Sequence, residues 1–290
     1  MRDSGAAVAA FYDDLSRFRA LWRMTRRDDA LTMHRRLVGA DGVASAQVVH
    51  DYVRAALRQA RGARLLDAGC GLGATCFDWH ARIGGECDGL TLSPVQVAQA
   101  RATAARNGLA ARCRFHLLSY DADLAALGAF DAVIAIESLA HAPSPAATIA
   151  NLARALRPGG RLAVVDDMPV AELAADDPDL AAFRAGWRCP SLAREDEVPE
   201  MMGRAGLAVV HEEDLSPLMQ QRAPARLERL VRLNRFVRAA GVAGGRLDGQ
   251  HGGLMLERLY RRGVMRYRLI VGAAPAVTSA PAPSSQATSC

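Results

Sequence analysis

The chain has 290 residues, half of them hydrophobic, with a formal net charge of +5. Length and apolar content support one sizeable core with additions, and no apolar run approaches the roughly 18 residues that span a bilayer. All 36 basic residues are arginine, which excludes lysine Schiff-base chemistry and a Walker lysine, and 5% aromatics with no basic–aromatic array argue against nucleic acid. In chain order, Phe11-Tyr12-Asp13 with Leu15, Phe18, Leu21 and Trp22 reads as an amphipathic helix. From residue 63 strands and helices alternate. Arg64–Ala68 is a first strand, followed by a glycine-rich turn and a helix over Thr75–Arg82. Cys87–Leu92 is a second strand, and Ser93-Pro94-Val95-Gln96 is a capping box that opens a helix to about Asn107. Arg112–Leu118 and Phe130–Glu137 are the third and fourth strands; Ser144-Pro145 caps a helix ending at Arg157-Pro158-Gly159-Gly160, and Arg161–Asp166 is the fifth strand.

This alternation predicts an α/β fold with a parallel, doubly wound sheet. Beyond it, residues 170–194 read as an insertion and 195–205 as a helix. Leu207–Glu212 is a sixth strand, 218–262 an arginine-rich helical stretch interrupted by Gly241–Gly253, and Val264–Val271 a seventh strand. The tail from Ala273 to Cys290 is rich in Ala, Pro, Ser and Thr and is expected to be disordered. Cys70, Cys76, Cys87, Cys113, Cys189 and Cys290 show no paired metal spacing. Their scatter, with no signal-peptide core at the N-terminus, predicts separate reduced thiols in the cytoplasm and no metal site.

The most informative segment is Leu65-Leu66-Asp67-Ala68-Gly69-Cys70-Gly71-Leu72-Gly73. A short apolar strand ends in an acid, and glycines at alternate positions let the backbone approach a ligand at a helix start. Dinucleotide-binding turns have a G-x-G-x-x-G spacing and an acid about 20 residues on for the ribose. Here the spacing differs, the second strand ends Gly89-Leu90-Thr91-Leu92, and Asp67 suits an ammonium better than a pyrophosphate. On these residues the chain resembles the class I S-adenosylmethionine (SAM)-dependent methyltransferases, whose first motif is D/E-x-G-x-G-x-G. Gly89-Leu90-Thr91-Leu92-Ser93-Pro94-Val95-Gln96 narrows this to a group with G-[IL]-T-L-S-x-x-Q, comprising tocopherol methyltransferases, cyclopropane fatty acid synthases and prenyl C-methyltransferases.

The resemblance covers residues 60–170 well and the rest loosely. It implies a Rossmann-like sheet of about seven strands, with a helical lid over 1–60, a SAM-binding core over 61–170, and acceptor-binding insertions within 171–272. SAM would be held by Asp67, Gly69, Cys70, Gly71 and Gly73. Thr91, Leu92 and Gln96 would lie at the ribose, although Gln96 also serves the capping box. Ser119 and Tyr120 fall where the family places its adenine contacts; the family's acid is absent at Ser119, and Asp121 is either its displaced counterpart or a turn cap. Ile136-Glu137-Ser138-Leu139-Ala140-His141 matches E-S/C-x-x-H, which makes Glu137 the leading catalytic candidate and His141 a second. Each also has a structural reading, Glu137 as a loop anchor and His141 as a packing residue. Tyr12 and the Thr32-Met33-His34 segment are candidates for closing over the methionine part of SAM, or for ordinary packing.

The resembled group methylates carbon on lipid-like or prenyl acceptors, leaving S-adenosylhomocysteine. The expected acceptor is therefore small and lipophilic or aromatic, with an O- or N-methyltransferase of an aromatic or quinone-like metabolite as the alternative, and a non-catalytic SAM-binding protein as the second. Phe183 and Trp187, or Met201, Met202, Leu218 and Met219, are candidate pocket walls. Arginines at 222, 226, 229, 232 and 235 form either a diphosphate site, which would bring in Mg2+, or a solvated basic face. A homodimer is left open.

Overall fold

A computed structural model describes residues 2–22, 34–240 and 245–276. Thr32, Met33 and the tail beyond residue 276 lie outside the described residues. The elements in chain order are α1 (Arg2–Trp22), β1 (Leu37–Val38), β2 (Ala44–Ser45), α2 (Val48–Leu57), β3 (Leu65–Ala68) and α3 (Ala74–Ile83). Then follow β4 (Cys87–Thr91), α4 (Pro94–Arg106), β5 (Cys113–Leu117), β6 (Phe130–Ile136), α5 (Pro145–Arg154) and β7 (Leu156–Pro169). The chain continues through α6 (Pro178–Trp187), α7 (Glu197–Arg204), β8 (Ala208–Asp214), α8 (Pro224–Ala239), α9 (Gly245–Arg261) and β9 (Met265–Ala273).

Seven strands form one sheet in the order β5-β4-β3-β6-β7-β9-β8. Each central strand is apolar on both faces, as expected where helices cover both sides. Alternate residues feed two cores: Leu65, Ile134, Val165 and Leu269 face one, and Leu66, Val133, Val164 and Ile270 the other.

The five strands that alternate with helices, β3 to β7, pair in parallel as expected, and one later strand, whose direction the pattern does not give, runs the other way. β9 runs antiparallel to both β7 and β8, between which it is inserted. Apolar patterning marks a strand but carries no direction. β8 pairs with β9 but shares its own direction with β7, so it ends at the carboxyl edge near Asp214. α8 and α9 stay on that side, and α9 packs on α6 and α1. The chain then re-enters the sheet from the same edge, with Met265 opposite Pro169. At its far end β9 runs on to Ala273, and Ala274 N donates to Gly160 O at 2.8 Å, so this part of the expected tail belongs to the sheet.

The helical stretch is divided between Ala239 and Gly245, where the expected interruption begins; Gly241 and Gly244 lie outside the described residues, whereas Gly245, Gly249, Gly252 and Gly253 lie inside α9. A Cβ on Gly186 of α6 would sit 2.4 Å from Asp248 O, and one on Gly252 would sit 2.9 Å from Trp187 Cδ1. These glycines let α6 and α9 touch nearly backbone to backbone, so their role is packing rather than helix breaking. The cysteines also differ from expectation. Cys76 of α3 and Cys87 of β4 are paired as a disulfide with Cα atoms 5.4 Å apart, and Cys70, Cys113 and Cys189 are buried thiols. The pair is brought together by packing of α3 on the sheet, which no cysteine spacing encodes. Among the described residues, no helix is long and apolar enough to cross a membrane.

Candidate functional site

The chain leaves β3 toward β4 on one side and β6 toward β7 on the other. Such a reversal opens a crevice beyond the carboxyl ends of the two strands. The glycine loop follows β3 and Glu137 follows β6, so both lie at this crevice. Gly69 has φ +108°, and a Cβ there would fall 2.5 Å from Ser138 Cβ. Ser138 is fixed in turn by its hydroxyl, which donates to Ala68 O at 2.6 Å. The two loops therefore touch, and only glycine fits between them. Gly69 N and Cys70 N donate to Leu90 O at 3.0 and 2.8 Å, so these N–H groups face β4 and not the crevice. Gly69, Cys70, Gly71 and Leu72 line a cavity there, and a Cβ on Gly71 would meet no atom within 4 Å. Gly73 caps α3 against Phe115, behind the cavity wall.

Asp67 also stands behind the wall, 3% exposed, with Cys76 Sγ at 3.9 Å from its carboxylate. Burial pushes its pKa up to about 7, against the pull of a Thr75 hydrogen bond. Asp67 has no ion pair among the described residues. A buried carboxyl in that state fits a cationic group such as an ammonium. Thr75 Oγ1 lies 3.1 Å from His50 Nε2 and 3.4 Å from His34 Nε2. His34 lines the cavity, and burial pulls its pKa down to about 4.

At the end of β4 the capping box is only half made. Ser93 Oγ accepts from Gln96 N at 3.0 Å, but the Gln96 side chain does not return to Ser93. Thr91 takes that place: its Oγ1 accepts from Ser93 N at 3.2 Å and donates to Gln96 Oε1 at 2.7 Å. Gln96 is thereby turned toward the cavity, with Nε2 buried and lacking a hydrogen-bond partner. A buried orphan donor at a cavity wall fits a hydroxyl acceptor such as a ribose oxygen. Leu92 and Tyr120 line the same end, and the Tyr120 hydroxyl donates to Ser138 O at 3.0 Å. Ser119 is not among the lining residues; its hydroxyl accepts from Asp121 N at 3.1 Å. Asp121 is held by the Thr148 hydroxyl.

At the other end, Glu137 has φ +50°, an uncommon conformation for a non-glycine residue. Its N donates to Val165 O at 2.7 Å, and its Oε1 accepts from Arg35 N and the Tyr267 hydroxyl, each at 2.7 Å. The Arg35 guanidinium lies near the rings of Tyr260 and Tyr267, 5.5 and 5.6 Å from their centroids, and meets Asp167 Oδ2 at 2.6 Å. The other Asp167 oxygen accepts from the Tyr260 hydroxyl. Beside it, Asp166 Oδ2 accepts from Ala140 N at 3.0 Å; burial, then the adjacent Asp167, push the Asp166 carboxyl up to about 8.

His141 also lines the cavity. Its Nε2 lies 2.8 Å from the Tyr12 hydroxyl and its Nδ1 3.3 Å from Arg188 O. A carbonyl can only accept, so Nδ1 carries the proton and Nε2 accepts from Tyr12. Burial lowers the His141 pKa, which keeps the ring neutral. Tyr12 belongs to α1, whose Asp13 accepts from the Ser93 hydroxyl and so ties α1 to α4. Val8 of α1, Phe183 and Trp187 of α6, and Leu256 of α9 complete an apolar wall.

The second set of expected wall residues does not reach the cavity. Met202 is buried against Leu207 and Gly272 in the core, and Met201, Leu218 and Met219 pack around the cores. Nor do the arginines: Arg226, Arg229, Arg232 and Arg235 are exposed on α8, and Arg222 pairs with Glu257. Among the described residues no cluster of His, Cys, Asp or Glu could hold a metal ion. Sequence reasoning missed Arg35, Asp166, Asp167, Tyr260 and Tyr267. The two aspartates had a readable signal, since they end a parallel strand at the edge where such sheets bind ligands.

The comparisons with known proteins agree with this geometry. Residues 65–160 match the family model described as a methyltransferase domain. The chain is 32% identical to the O-methyltransferase rstn1 of Aspergillus nomiae over 55% of its own length and 70% of that protein's. It is 31% identical to 24-methylenesterol C-methyltransferase 2 of rice over 58% of its length, but spans only about half of that relative, 48%. Among solved structures, the [4+2]-cyclase SpnF superposes with a TM-score of 0.65 at 26% identity, covering 84% of this chain and 88% of that one. Fold, glycine loop and relatives together place the chain among the class I SAM-dependent methyltransferases.

Proposed function

We propose that this enzyme methylates a small, largely apolar acceptor, with carbon of an isoprenoid-like or related natural-product skeleton as the preferred target. The observation that carries this reading is Glu137, fixed through one oxygen by Tyr267 and Arg35 at the edge of an apolar and aromatic cavity. Such a carboxylate stabilises positive charge on an acceptor carbon and can then take its proton.

The residues present fit SAM. Asp67 would stabilise its ammonium group from behind the glycine turn, the Gly69–Gly71 backbone would meet its methionine part, and Thr91 and Gln96 its ribose. Leu92 would lie beside them at the ribose, and Tyr120 and Ser119 toward the adenine, with Ser119 placed to act only through the Asp121 turn. When bound, SAM supplies an electrophilic methyl on a sulfonium. The chain's own residues do the rest. Tyr12 and α1 cover the cavity and exclude water, Phe183 and Trp187 orient an apolar acceptor, and the Asp167–Arg35–Tyr260 set holds Arg35 against Glu137.

One observation favours a second reading. His141 is a neutral imidazole at the cavity whose Nε2, held by the Tyr12 hydroxyl, would open to an acceptor hydroxyl that displaces Tyr12, and the relative covered to 70% is an O-methyltransferase. Here His141 would take the proton of a phenol or quinol. Magnesium enters only with a diphosphate acceptor, and the arginines for one lie on α8 instead. We keep the cytoplasm as the compartment; assembly as a homodimer is compatible with either reading.

The test is labelled-methyl transfer from SAM across isoprenoid alcohols and diphosphates, quinols and phenols, with NMR of the product. A new C–CH3 resonance supports the first reading and an O–CH3 resonance the second. SAM binding without turnover would reduce the protein to a cofactor-binding one. The likeness to a cyclase motivates a parallel arm without SAM, in which conversion of acceptor would contradict both readings.

A further inference from the structure

Helix α8 carries a face that nothing in the methyl-transfer site uses. At about 100° per residue, Leu227, Val231 and Asn234 fall on one side, and all three are buried. The opposite side presents Arg229, Arg232 and Phe236, flanked by Arg226 and Leu233, while Arg235 lies nearer the α9 side. Phe236 is 72% exposed and Leu233 57%, and Phe236 is the most exposed large apolar residue among those described. The arginines of this region divide in much the same way. On the inner side Arg222 is paired with Glu257 and Arg238 with Asp248. Arg226, Arg229, Arg232 and Arg235 take part in no ion pair among the described residues, and Glu228, the one acid of α8, already meets Arg258 at 3.6 Å.

We propose that this outer face of α8 docks on an anionic phospholipid surface. Three uncompensated guanidinium groups, those of Arg226, Arg229 and Arg232, match lipid phosphates, and a phenyl ring and a leucine on the same ridge match the acyl boundary just beneath them. A second copy of this face would set three arginines against three. A nucleic acid would engage the arginines but would leave Leu233 exposed to water. α8 packs on α9, which contributes Leu256 to the cavity wall, so the docking face lies one helix away from the acceptor. The inference concerns binding alone and holds whichever acceptor is methylated.

The experiment is co-sedimentation of the full chain with vesicles of phosphatidylcholine alone and of phosphatidylcholine mixed with phosphatidylglycerol. Binding is expected only to the mixed vesicles and should weaken as salt is raised. Arg229→Gln with Arg232→Gln should weaken it about 25-fold, at about fivefold per arginine. Phe236→Ser with Leu233→Ser should weaken it by roughly tenfold or more. These side chains are exposed, so both variants should keep the wild-type melting curve and SAM affinity. Equal binding to both vesicle types, or binding to neither, would overturn the proposal. So would binding to mixed vesicles that survives Phe236→Ser with Leu233→Ser, since that is adsorption by charge alone. Sedimentation velocity showing a dimer that this double substitution dissociates, or tight binding of a DNA or RNA oligonucleotide through the arginines, would assign the face to another partner.

Discussion

The two ends of the cavity are built differently. The end formed by β3, β4 and the loops after them is local. Gly69, Cys70 and Gly71 come from one turn, and Thr91, Ser93 and Gln96 bond to one another within six residues. The end around Glu137 is assembled from distant segments. Its Oε1 meets Arg35 from 102 residues upstream and Tyr267 from 130 residues downstream. A local loop can be kept for a constant cofactor while the distant set changes with the acceptor. If that division holds, substitutions at one end should move SAM binding, and those at the other should move turnover.

The largest effect is expected at the point where the two ends touch. Gly69→Ala would strain a left-handed backbone by about 1–2 kcal/mol and drive a Cβ into Ser138, adding about 1–3 kcal/mol of overpacking. SAM affinity measured by calorimetry should fall roughly 30-fold or more; near-normal affinity would show that the contact is not needed. Next, Tyr267→Phe removes one donor to Glu137. A hydrogen bond to a charged group contributes about 1.5–3 kcal/mol, so kcat should fall roughly tenfold to hundredfold at unchanged KM for SAM. A matching rise in that KM would break the separation.

A pH effect should follow in size. In the unliganded protein Asp67 keeps its proton up to about 7, so ionising it to stabilise an ammonium weakens SAM binding by up to about tenfold per unit below that pH. Asp67→Asn should bind more weakly and lose this slope. Asp67 and Asp166 both have folded pKa values raised above the unfolded range. Their contribution to stability is full below about 4 and is lost as pH rises through about 7 and 8, so the unliganded melting temperature should decline over that window. His34, lowered to about 4, opposes the decline only below its unfolded value near 6.5. The smallest effect is Gln96→Leu. Loss of one hydrogen bond should weaken SAM about fivefold and leave kcat at saturating SAM unchanged.

The same contrast explains what was legible in the sequence. The strands that form the centre of the sheet are apolar runs closed by glycine or proline signals and lie where the pattern puts them, except that β7 already begins at Leu156 and takes in the Arg157–Gly160 turn as an irregularity. Direction was not legible for β9, because antiparallel entry follows from where α8 and α9 pack. The glycines of α9 look like breakers in sequence, since nothing local shows that Gly186 of another helix faces them. At the site, a contiguous motif marks Gly69, Gly71, Thr91 and Gln96. Tyr260 and Tyr267 belong to no motif, and only the insertion of β9 beside β7 carries Tyr267 to Glu137. Arg35 precedes the first long strand by 30 residues and is equally silent.

The most direct test of the account is Glu137→Gln, compared with wild type in a single-turnover methyl-transfer assay at saturating SAM, with SAM affinity measured on the same samples. The expected result is a transfer rate lower by roughly 100-fold or more with SAM affinity within about threefold of wild type. Transfer at the wild-type rate, or loss of SAM binding in proportion to rate, would contradict it.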